Sequence, residues 1–396
     1  MLAWLAPILV LGLVVFIHEL GHFLAAKWTG VYAPRFSVGF GPALWKKRHG
    51  ETEYVLAALP LGGYVRMASR DDETMAMIEG GKPEAAVQLQ GAMGAVGAGP
   101  ERDRPKDWDE NAMVPFGPLP VPADRWFESK PLSARVVIML AGVTMNVVLT
   151  LVVSTGVFAY YGRAYVPAVI DSVVVGMPAS QAGLQQGDSI VAINGVKVRA
   201  WNDMLTTISA SAGKPVRFDV ARNGAPLVLT MTPVAQPGAD PNTGKAMTVG
   251  RVGALPKNNL ERERLGPLAA TGAGWNATWS MGRSVVGVLG GLLRGTISVK
   301  NLAGPVGIVR TSVAAARSGL ESVWALVAFL SINLAILNLL PIPILDGGQV
   351  LMTIAESAKG SPFSLRTREN VMRVGLAAIV ALFAVVMFND LVALFR

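Results

Sequence analysis

The sequence contains no cysteine among its 396 residues, and only 16% of the residues are charged. The absence of cysteine excludes a disulfide framework, a thiol nucleophile and thiolate metal ligands. Soluble domains carry about 25% charged residues, whereas this chain combines few charges with a hydrophobic share of 52%. The composition therefore indicates a membrane protein and argues against disorder and collagen-like repeats.

Basic residues outnumber acidic residues by 35 to 27, which gives a formal net charge of +8. No dense lysine and arginine tract accompanies this excess, so nucleic-acid binding is not expected. In a membrane protein, a modest basic excess fits loops that face anionic lipid and the cytoplasm.

Four apolar segments are long enough to cross a bilayer, which requires about 20 residues. They cover approximately Leu2–Lys27, Val136–Tyr161, Ser322–Leu345 and Val371–Phe395. The first segment lacks the basic start and the cleavage site of a signal peptide. We therefore expect it to remain as a span.

Basic residues beside the spans predict the orientation of the chain. Twelve lie beside the first and third connections: Lys27, Arg35, Lys46, Lys47, Arg48, Arg125, Lys130, Arg135, Lys359, Arg366, Arg368 and Arg373. Four lie on the opposite side: Arg163, Arg310, Arg317 and Arg396. By the positive-inside rule, both chain ends and the long connection between the second and third spans lie outside the cytoplasm.

The first span contains the motif His18-Glu19-Leu20-Gly21-His22. Residues four apart lie about 40° apart around a helix and about 6 Å apart along it. Both imidazoles can therefore bind one Zn²⁺, while Glu19 serves as general base. A chance match is the alternative, but each charged group within a span costs at least about 2.5 kcal/mol, so the motif favours a metal site.

A third ligand must come from outside this motif. The remaining histidine, His49, follows three basic residues and is expected at the surface. Asp346 lies at the cytoplasmic end of the third span, level with the histidine pair, whereas Asp390 lies towards the opposite side and is expected at the interface. Pro341 and Pro343 break the helix before Asp346. We predict Asp346 as the ligand; a plain exit turn at this aspartate is the alternative.

The connections between the spans predict the domain organisation. Gly- and Pro-punctuated apolar runs over residues 35–67 favour a β-hairpin, and residues 68–123 have the composition of a flexible insert. Residues 164–256 are typical of a small α+β domain. The predicted parts are 1–67, with the first span and hairpin; 68–135, the insert; 136–161, the second span; 164–256, the soluble domain; 257–321, a linker with an amphipathic segment; and 322–396, the last two spans.

These motifs resemble those of the site-2 intramembrane metalloproteases in their bacterial form. The signature combines HExxH in the first span with Asn-x2-Pro-x4-Asp-Gly, residues 338–347, in the third. Shorter matching stretches are residues 39–42, 61–65, 140–146 and 304–307. The resemblance implies a multi-pass α-helical membrane protein with about four spanning helices, a membrane-associated β-hairpin element and an inserted α+β PDZ domain.

The resemblance also implies roles for individual residues. His18, His22 and Asp346 would bind zinc, Glu19 would be the general base, and Asn338 would engage the substrate backbone near the scissile bond.

The hairpin would correspond to the family's membrane-associated β-element, whose edge pairs with an unwound substrate segment. Its implied substrate-binding residues are Gly62, Gly63 and Tyr64. A plain cytoplasmic β-turn is the alternative for this region.

The soluble domain resembles a PDZ domain through residues 178–179, 182–188 and 193–195. In this family the PDZ module is circularly permuted, so its peptide-binding residues are expected late, at Val249, Gly250, Val252 and Gly253. A folded spacer without a ligand is the alternative.

The function implied is a zinc endopeptidase of the bacterial inner membrane. It would cut single-pass proteins, such as anti-sigma factors or remnant signal peptides, after a first cut has shortened their extracytoplasmic part. The PDZ domain would lie outside the cytoplasm as a size filter or a docking site for C-termini, with the active site near the cytoplasmic side. The alternatives are a non-catalytic PDZ membrane scaffold and another membrane-embedded zincin, for which Glu356 is the nearest last ligand.

Overall fold

The computed structural model describes residues 2–69, 109–239, 246–257, 259–298 and 304–394. Most of the predicted insert, residues 70–108, lies outside the described residues. The helices are α1 Ala6–Trp28, α2 Leu132–Tyr161, α3 Pro178–Gln181, α4 Trp201–Ser209, α5 Pro267–Leu293, α6 Pro305–Ser318, α7 Leu320–Asn338, α8 Asp346–Lys359 and α9 Leu365–Leu394. The strands are β1 Arg35–His49, β2 Thr52–Arg66, β3 Arg163–Tyr165, β4 Ile170–Val173, β5 Ser189–Ile193, β6 Val196–Lys197, β7 Val216–Arg222, β8 Ala225–Met231, β9 Val234–Ala239, β10 Ala246–Arg251, β11 Ala254–Pro256 and β12 Glu261–Glu263.

Four helical segments among the described residues are long and apolar enough to cross a membrane, which confirms the predicted number of spans. They are Ala3–Trp28, Leu132–Tyr161, Leu320–Asn338 and Arg366–Val392. The predicted end of the third span was wrong, because α7 ends at Asn338 rather than at Leu345. Pro341 and Pro343 follow, and proline cannot continue a helical hydrogen-bond ladder. Asp346 then begins α8.

The chain divides into two compact units. The first comprises residues 1–154, 277–285 and 298–396, and therefore contains the hairpin and most of the spanning helices. The second comprises residues 155–276 and 286–297, and contains the predicted soluble domain.

Helix α1 is held in the first unit by apolar contacts along its length. Val10 and Val14 are buried in a cluster with Val327 of α7. Towards its other end, Ala26 is buried against Ile138 of α2. These contacts place the intervening turns of α1, which carry the HExxH motif, beside α2 and α7.

Strands β1 and β2 form the predicted hairpin, but they fold back to make four paired segments. Residues 43–49 pair with residues 52–57. Residues 35–38 pair with residues 53–56 on one side and with residues 63–66 on the other side. Among the described residues, no strand pairs with the outer side of residues 63–66, so this segment is an edge with free backbone groups.

The second unit contains a four-stranded antiparallel sheet in the order β6-β5-β7-β8. The pairs β4–β11, β9–β10 and β3–β12 lie outside this sheet. Met204 of α4 is buried with Ile190 and Phe218 in the core. The turn between β7 and β8 is Asn223-Gly224, with positive φ at both residues, the pattern expected for a tight hairpin turn.

Asp390, predicted at the membrane interface, lies near the end of the fourth span, and its side chain is buried. Its two carboxylate oxygens accept hydrogen bonds from the backbone N–H groups of Gly304 and Gly307, both at 3.0 Å. These N–H groups belong to the start of α6 and have no partner within the helix. Asp390 therefore joins α9 to α6.

Glu51, in the hairpin turn, joins α1 to the segment before α2. Its carboxylate accepts hydrogen bonds from both terminal nitrogens of Arg125, at 2.8 and 2.9 Å, and from Lys27 at 2.6 Å. The pKa of Glu51 is lowered from 4.5 to about 2. The hydrogen bonds from Arg125 are the largest cause, and the hydrogen bond from Lys27 lowers the pKa further.

We expect Glu51→Gln to lower the melting temperature of the purified protein at neutral pH. A carboxylate whose pKa is lower in the folded state stabilises that state fully above the unfolded pKa and loses this effect as pH falls towards the folded pKa. The difference between wild type and variant should therefore shrink between about pH 4.5 and pH 2. A difference independent of pH would contradict this role. Glu369→Gln, at an exposed pair with Arg373, is the matched control.

Candidate metal centre

Helix α1 presents His18 and His22 on one buried face, as their spacing predicts. Their Nε2 atoms lie 3.2 Å apart. Gly142 of α2 lies opposite the pair, and a Cβ atom there would collide with His22 Nε2 and lie 2.7 Å from His18 Cε1. The absence of a side chain at Gly142 therefore provides the space in which the two imidazoles meet.

Asp346, the first residue of α8, completes a group of three side chains. Its Oδ2 lies 3.3 Å from His18 Nε2 and 3.5 Å from His22 Nε2. One possible ligand atom from each residue lies within 4.8 Å of the others. The structure thus brings together the three residues predicted as metal ligands, although 324 positions of the sequence separate His22 from Asp346.

The distances and the donor set fit a zinc ion. Tetrahedral zinc with ligand bonds of about 2.0–2.1 Å separates neighbouring ligand atoms by about 3.3 Å, close to the spacing of these three atoms. The buried Asp346 Oδ2 has no hydrogen-bond donor among the described residues. His22 Nδ1 donates to the Ile138 carbonyl oxygen at 2.8 Å, so its Nε2 lone pair faces the centre. Several lone pairs therefore converge where a cation would compensate them.

Glu19 follows His18 on α1 and lies against the hairpin. A Cβ atom on Gly63 would be 2.8 Å from Glu19 Cγ and 2.8 Å from the Ser37 carbonyl oxygen. The edge segment 63–66 thus runs beside the predicted general base, and only glycine at this position permits such an approach.

The other residues predicted to bind substrate lie near this centre or along the hairpin. Asn338, at the end of α7, places Nδ2 3.1 Å from His18 Nε2. Gly62 precedes the edge segment and Gly63 begins it. The Tyr64 ring stacks on Phe40 with 6.3 Å between ring centroids.

Glu356, the ligand of the alternative zincin, is engaged elsewhere. Its carboxylate accepts hydrogen bonds from Arg368 Nη2, at 2.7 Å to each oxygen, and from the Phe363 backbone N–H at 2.7 Å. His49 is exposed on β1, as predicted. The geometry therefore favours Asp346 as the third ligand.

The four residues predicted to bind a peptide in the soluble domain lie in and after β10. Val249 and Gly250 pair with β9, and a Cβ atom on Gly250 would collide with the Ile208 carbonyl oxygen at the end of α4. The carbonyl oxygens of Val252 and Gly253 already accept backbone hydrogen bonds within this unit. Peptide binding by this segment stays a prediction.

Two residues at the centre lie in the matching stretch 140–146 but were given no role from the sequence. Gly142 provides space for the imidazoles, and Asn146, one turn further along α2, is fully buried beside His18. An uncharged amide within an apolar span is the signal that could have identified Asn146, since polar side chains in spans usually face a partner.

The comparisons with known proteins agree with this centre. Residues 6–382 match peptidase family M50. The zinc metalloprotease RasP of Geobacillus kaustophilus is 33% identical over 97% of this chain and 96% of its own length. The regulator of sigma-W protease RasP of Bacillus subtilis is 30% identical over 99% and 98%, and a putative zinc metalloprotease of Brucella suis is 33% identical over 97% and 93%. The chain therefore belongs to peptidase family M50, the site-2 proteases, which are zinc-dependent intramembrane metalloproteases.

Proposed function

We propose that this protein hydrolyses a peptide bond inside the membrane-spanning segment of single-pass proteins. The observation that carries the proposal is the convergence of His18, His22 and Asp346, with Glu19 beside them, on helices that belong to or adjoin the apolar spans. Charged groups are costly at that depth, so they are found mainly where they are paired or serve a function.

His18, His22 and Asp346 would hold the zinc ion. When bound, zinc acts as a Lewis acid that brings the pKa of a coordinated water towards 7. Glu19 takes a proton from the attacking water and passes it to the leaving amide nitrogen. The Asn338 side chain, beside His18, holds the substrate backbone by hydrogen bonding.

The edge segment 63–66 supplies the means of presenting the substrate. A helix conceals its carbonyl groups in internal hydrogen bonds, so a spanning substrate must unwind locally before hydrolysis. The free backbone groups of the edge replace those hydrogen bonds by strand addition. Because Gly63 lies against Glu19, an added strand would lie next to the general base.

The proposed substrates are anti-sigma factors or remnant signal peptides. The anti-sigma factors are supported by the name of the Bacillus subtilis relative, regulator of sigma-W protease RasP. The proposed location is the bacterial inner membrane, with the second unit outside the cytoplasm as a PDZ-like size filter or docking site for C-termini. The excess of basic residues beside the first and third connections supports an active site near the cytoplasmic side.

The test is proteolysis in proteoliposomes that contain the purified protein and a single-pass substrate. A substrate with a short extracytoplasmic part should be cut, and mass spectrometry should place the new termini within its apolar segment. A second substrate with a folded extracytoplasmic domain should be cut more slowly. New termini confined to water-exposed parts of the substrate would contradict the proposal.

We expect Gly63→Ala to lower the cleavage rate by about 10- to 100-fold, since misplacing a reacting group by about 1 Å has effects of this size. The added methyl group would displace Glu19 or the edge segment. Zinc content should be unchanged, because the atoms nearest to the added methyl group belong to Glu19, Ser37 and Val15, none of which is a proposed ligand. Gly12→Ala on α1, where a Cβ atom has open space, is the matched control. Wild-type cleavage by Gly63→Ala would contradict the proposed position of the edge segment.

A further inference from the structure

We propose that Asn146 positions His18 and fixes the ring nitrogen that carries its proton. Asn146 is then a positioning residue for the metal centre, acting through the imidazole. This inference rests on the proposed role of His18 as a ligand.

The first observation is the placement of the Asn146 amide. The residue is 0% exposed, and its Nδ2 lies 3.4 Å from His18 Nδ1. Its Oδ1 is buried without a hydrogen-bond partner among the described residues. The oxygen and nitrogen of an amide exchange places on a half-turn of the group, and the hydrogen-bond network decides between the two arrangements.

The two arrangements have opposite consequences for His18. If the amide nitrogen faces the ring, Nδ1 accepts a hydrogen bond and the proton of the neutral ring lies on Nε2, which faces Asp346 and His22. If the amide oxygen faces the ring, Nδ1–H donates to it, and the Nε2 lone pair faces those two residues. Only the second arrangement allows His18 to bind a metal through Nε2.

His22 provides an independent precedent within the same centre. Its Nδ1 lies 2.8 Å from the Ile138 carbonyl oxygen, which can only accept a hydrogen bond. Its proton must therefore lie on Nδ1 when the ring is neutral. Asn146 Oδ1 would accept a hydrogen bond from His18 Nδ1–H, as the Ile138 carbonyl oxygen does from His22 Nδ1–H. Both acceptors belong to α2.

The backbone of Asn146 is itself held in place. Its carbonyl oxygen accepts hydrogen bonds from Ser331 Oγ of α7 and from Thr150 Oγ1, both at 2.9 Å. Thr150 Oγ1 also lies 3.2 Å from the Ala328 carbonyl oxygen. These buried contacts join α2 to α7 at the turn that carries Asn146, so its side chain is presented to His18 from a fixed position.

Zinc affinity is the first test, measured on the purified full-length protein by competition with a chelator. Asn146→Leu should bind zinc about 10- to 100-fold more weakly, the usual effect of removing a group that orients a metal ligand. Asn146→Asp keeps an acceptor oxygen and should stay within a few-fold of wild type. Ser154→Ala, on the same buried face of α2, is the control for helix packing. Wild-type affinity in Asn146→Leu, or equal losses in the Leu and Asp variants, would overturn the proposal.

The position of the proton is the second test, and it needs no enzymatic activity. The chain contains three histidines, so a His49→Gln protein labelled with ¹⁵N-histidine gives signals from His18 and His22 alone. In its zinc-bound form, both rings should be protonated at Nδ1, and Asn146→Leu should change the His18 signals while leaving those of His22. A His18 ring protonated at Nε2 in the protein with Asn146 would overturn the assignment.

A third variant separates this proposal from the proposed function. If His18→Ala retains zinc with wild-type affinity, the proposed ligand set fails. If His18→Ala loses zinc but Asn146→Leu does not, only the role of Asn146 fails.

Discussion

Glu19→Gln is expected to lower the cleavage rate of a single-pass substrate by about 10²- to 10⁴-fold, the contribution typical of a general base. Glutamine has nearly the shape of glutamate but cannot accept the proton that the attacking water must lose. The variant should still contain one zinc ion per chain, because Glu19 is not among the three residues whose ligand atoms converge. Cleavage is measured in proteoliposomes, and zinc by elemental analysis of the same preparation.

The matched control for this change is Glu51→Gln, which also removes a carboxylate but lies in the hairpin turn with Lys27 and Arg125. At neutral pH and below its melting temperature, it should cleave the substrate at close to the wild-type rate. Full activity in Glu19→Gln would show that another group accepts the proton. Loss of zinc in Glu19→Gln would show that the glutamate contributes to metal binding.

Asp346→Ala should abolish stoichiometric zinc binding as well as proteolysis. The side chain places Oδ2 3.3 and 3.5 Å from the two histidine Nε2 atoms. Its removal leaves the two imidazoles as the only proposed ligands. The loss of affinity should exceed the 10- to 100-fold effect of removing an orienting group. Chelator competition on purified protein measures it.

Glu356→Gln is the control that separates the two candidate carboxylates on α8. Glu356 is bonded to Arg368 and to the Phe363 N–H, so its substitution should lower thermal stability and leave zinc bound. Retention of zinc in Asp346→Ala together with its loss in Glu356→Gln would favour the alternative zincin.

The three residues of the proposed ligand set could be selected from sequence because ionisable groups are rare in apolar spans. His18, Glu19 and His22 interrupt the first span, and Asp346 lies at the end of the third, so few partners had to be considered. The charge pattern also placed these residues at one membrane level. The physical reason is the high cost of a charge in a bilayer, which leaves such residues mainly where function requires them.

The surroundings of the ligands could not be predicted in the same way. Gly142 lies in the matching stretch 140–146. Glycine is common in membrane helices because it allows close packing, so the role of Gly142 could not be assigned before the crossing of α1 and α2 was known. The role of Asn146 depends on which atom of a distant helix faces it. Both roles are set by tertiary contacts rather than by local spacing.

The hairpin and the end of the third span show a similar limit. Gly- and Pro-punctuated apolar runs predicted strands over residues 35–67, but the fold-back into four segments depends on bends at glycines with positive φ, such as Gly39 and Gly41. The two prolines after α7 were recognised as helix breakers, yet the predicted span was extended to Leu345 because its composition stays apolar. Hydrophobicity alone therefore overestimated the length of helix α7.

Zinc K-edge X-ray absorption of the purified full-length protein tests the proposed centre most directly. With one zinc ion per chain, the spectrum should show two imidazole ligands and oxygen ligands at about 2.0–2.1 Å. His22→Ala should lose zinc or retain it with one imidazole fewer. A wild-type protein without stoichiometric zinc, or with zinc that lacks two imidazole ligands, would contradict a centre built from His18, His22 and Asp346.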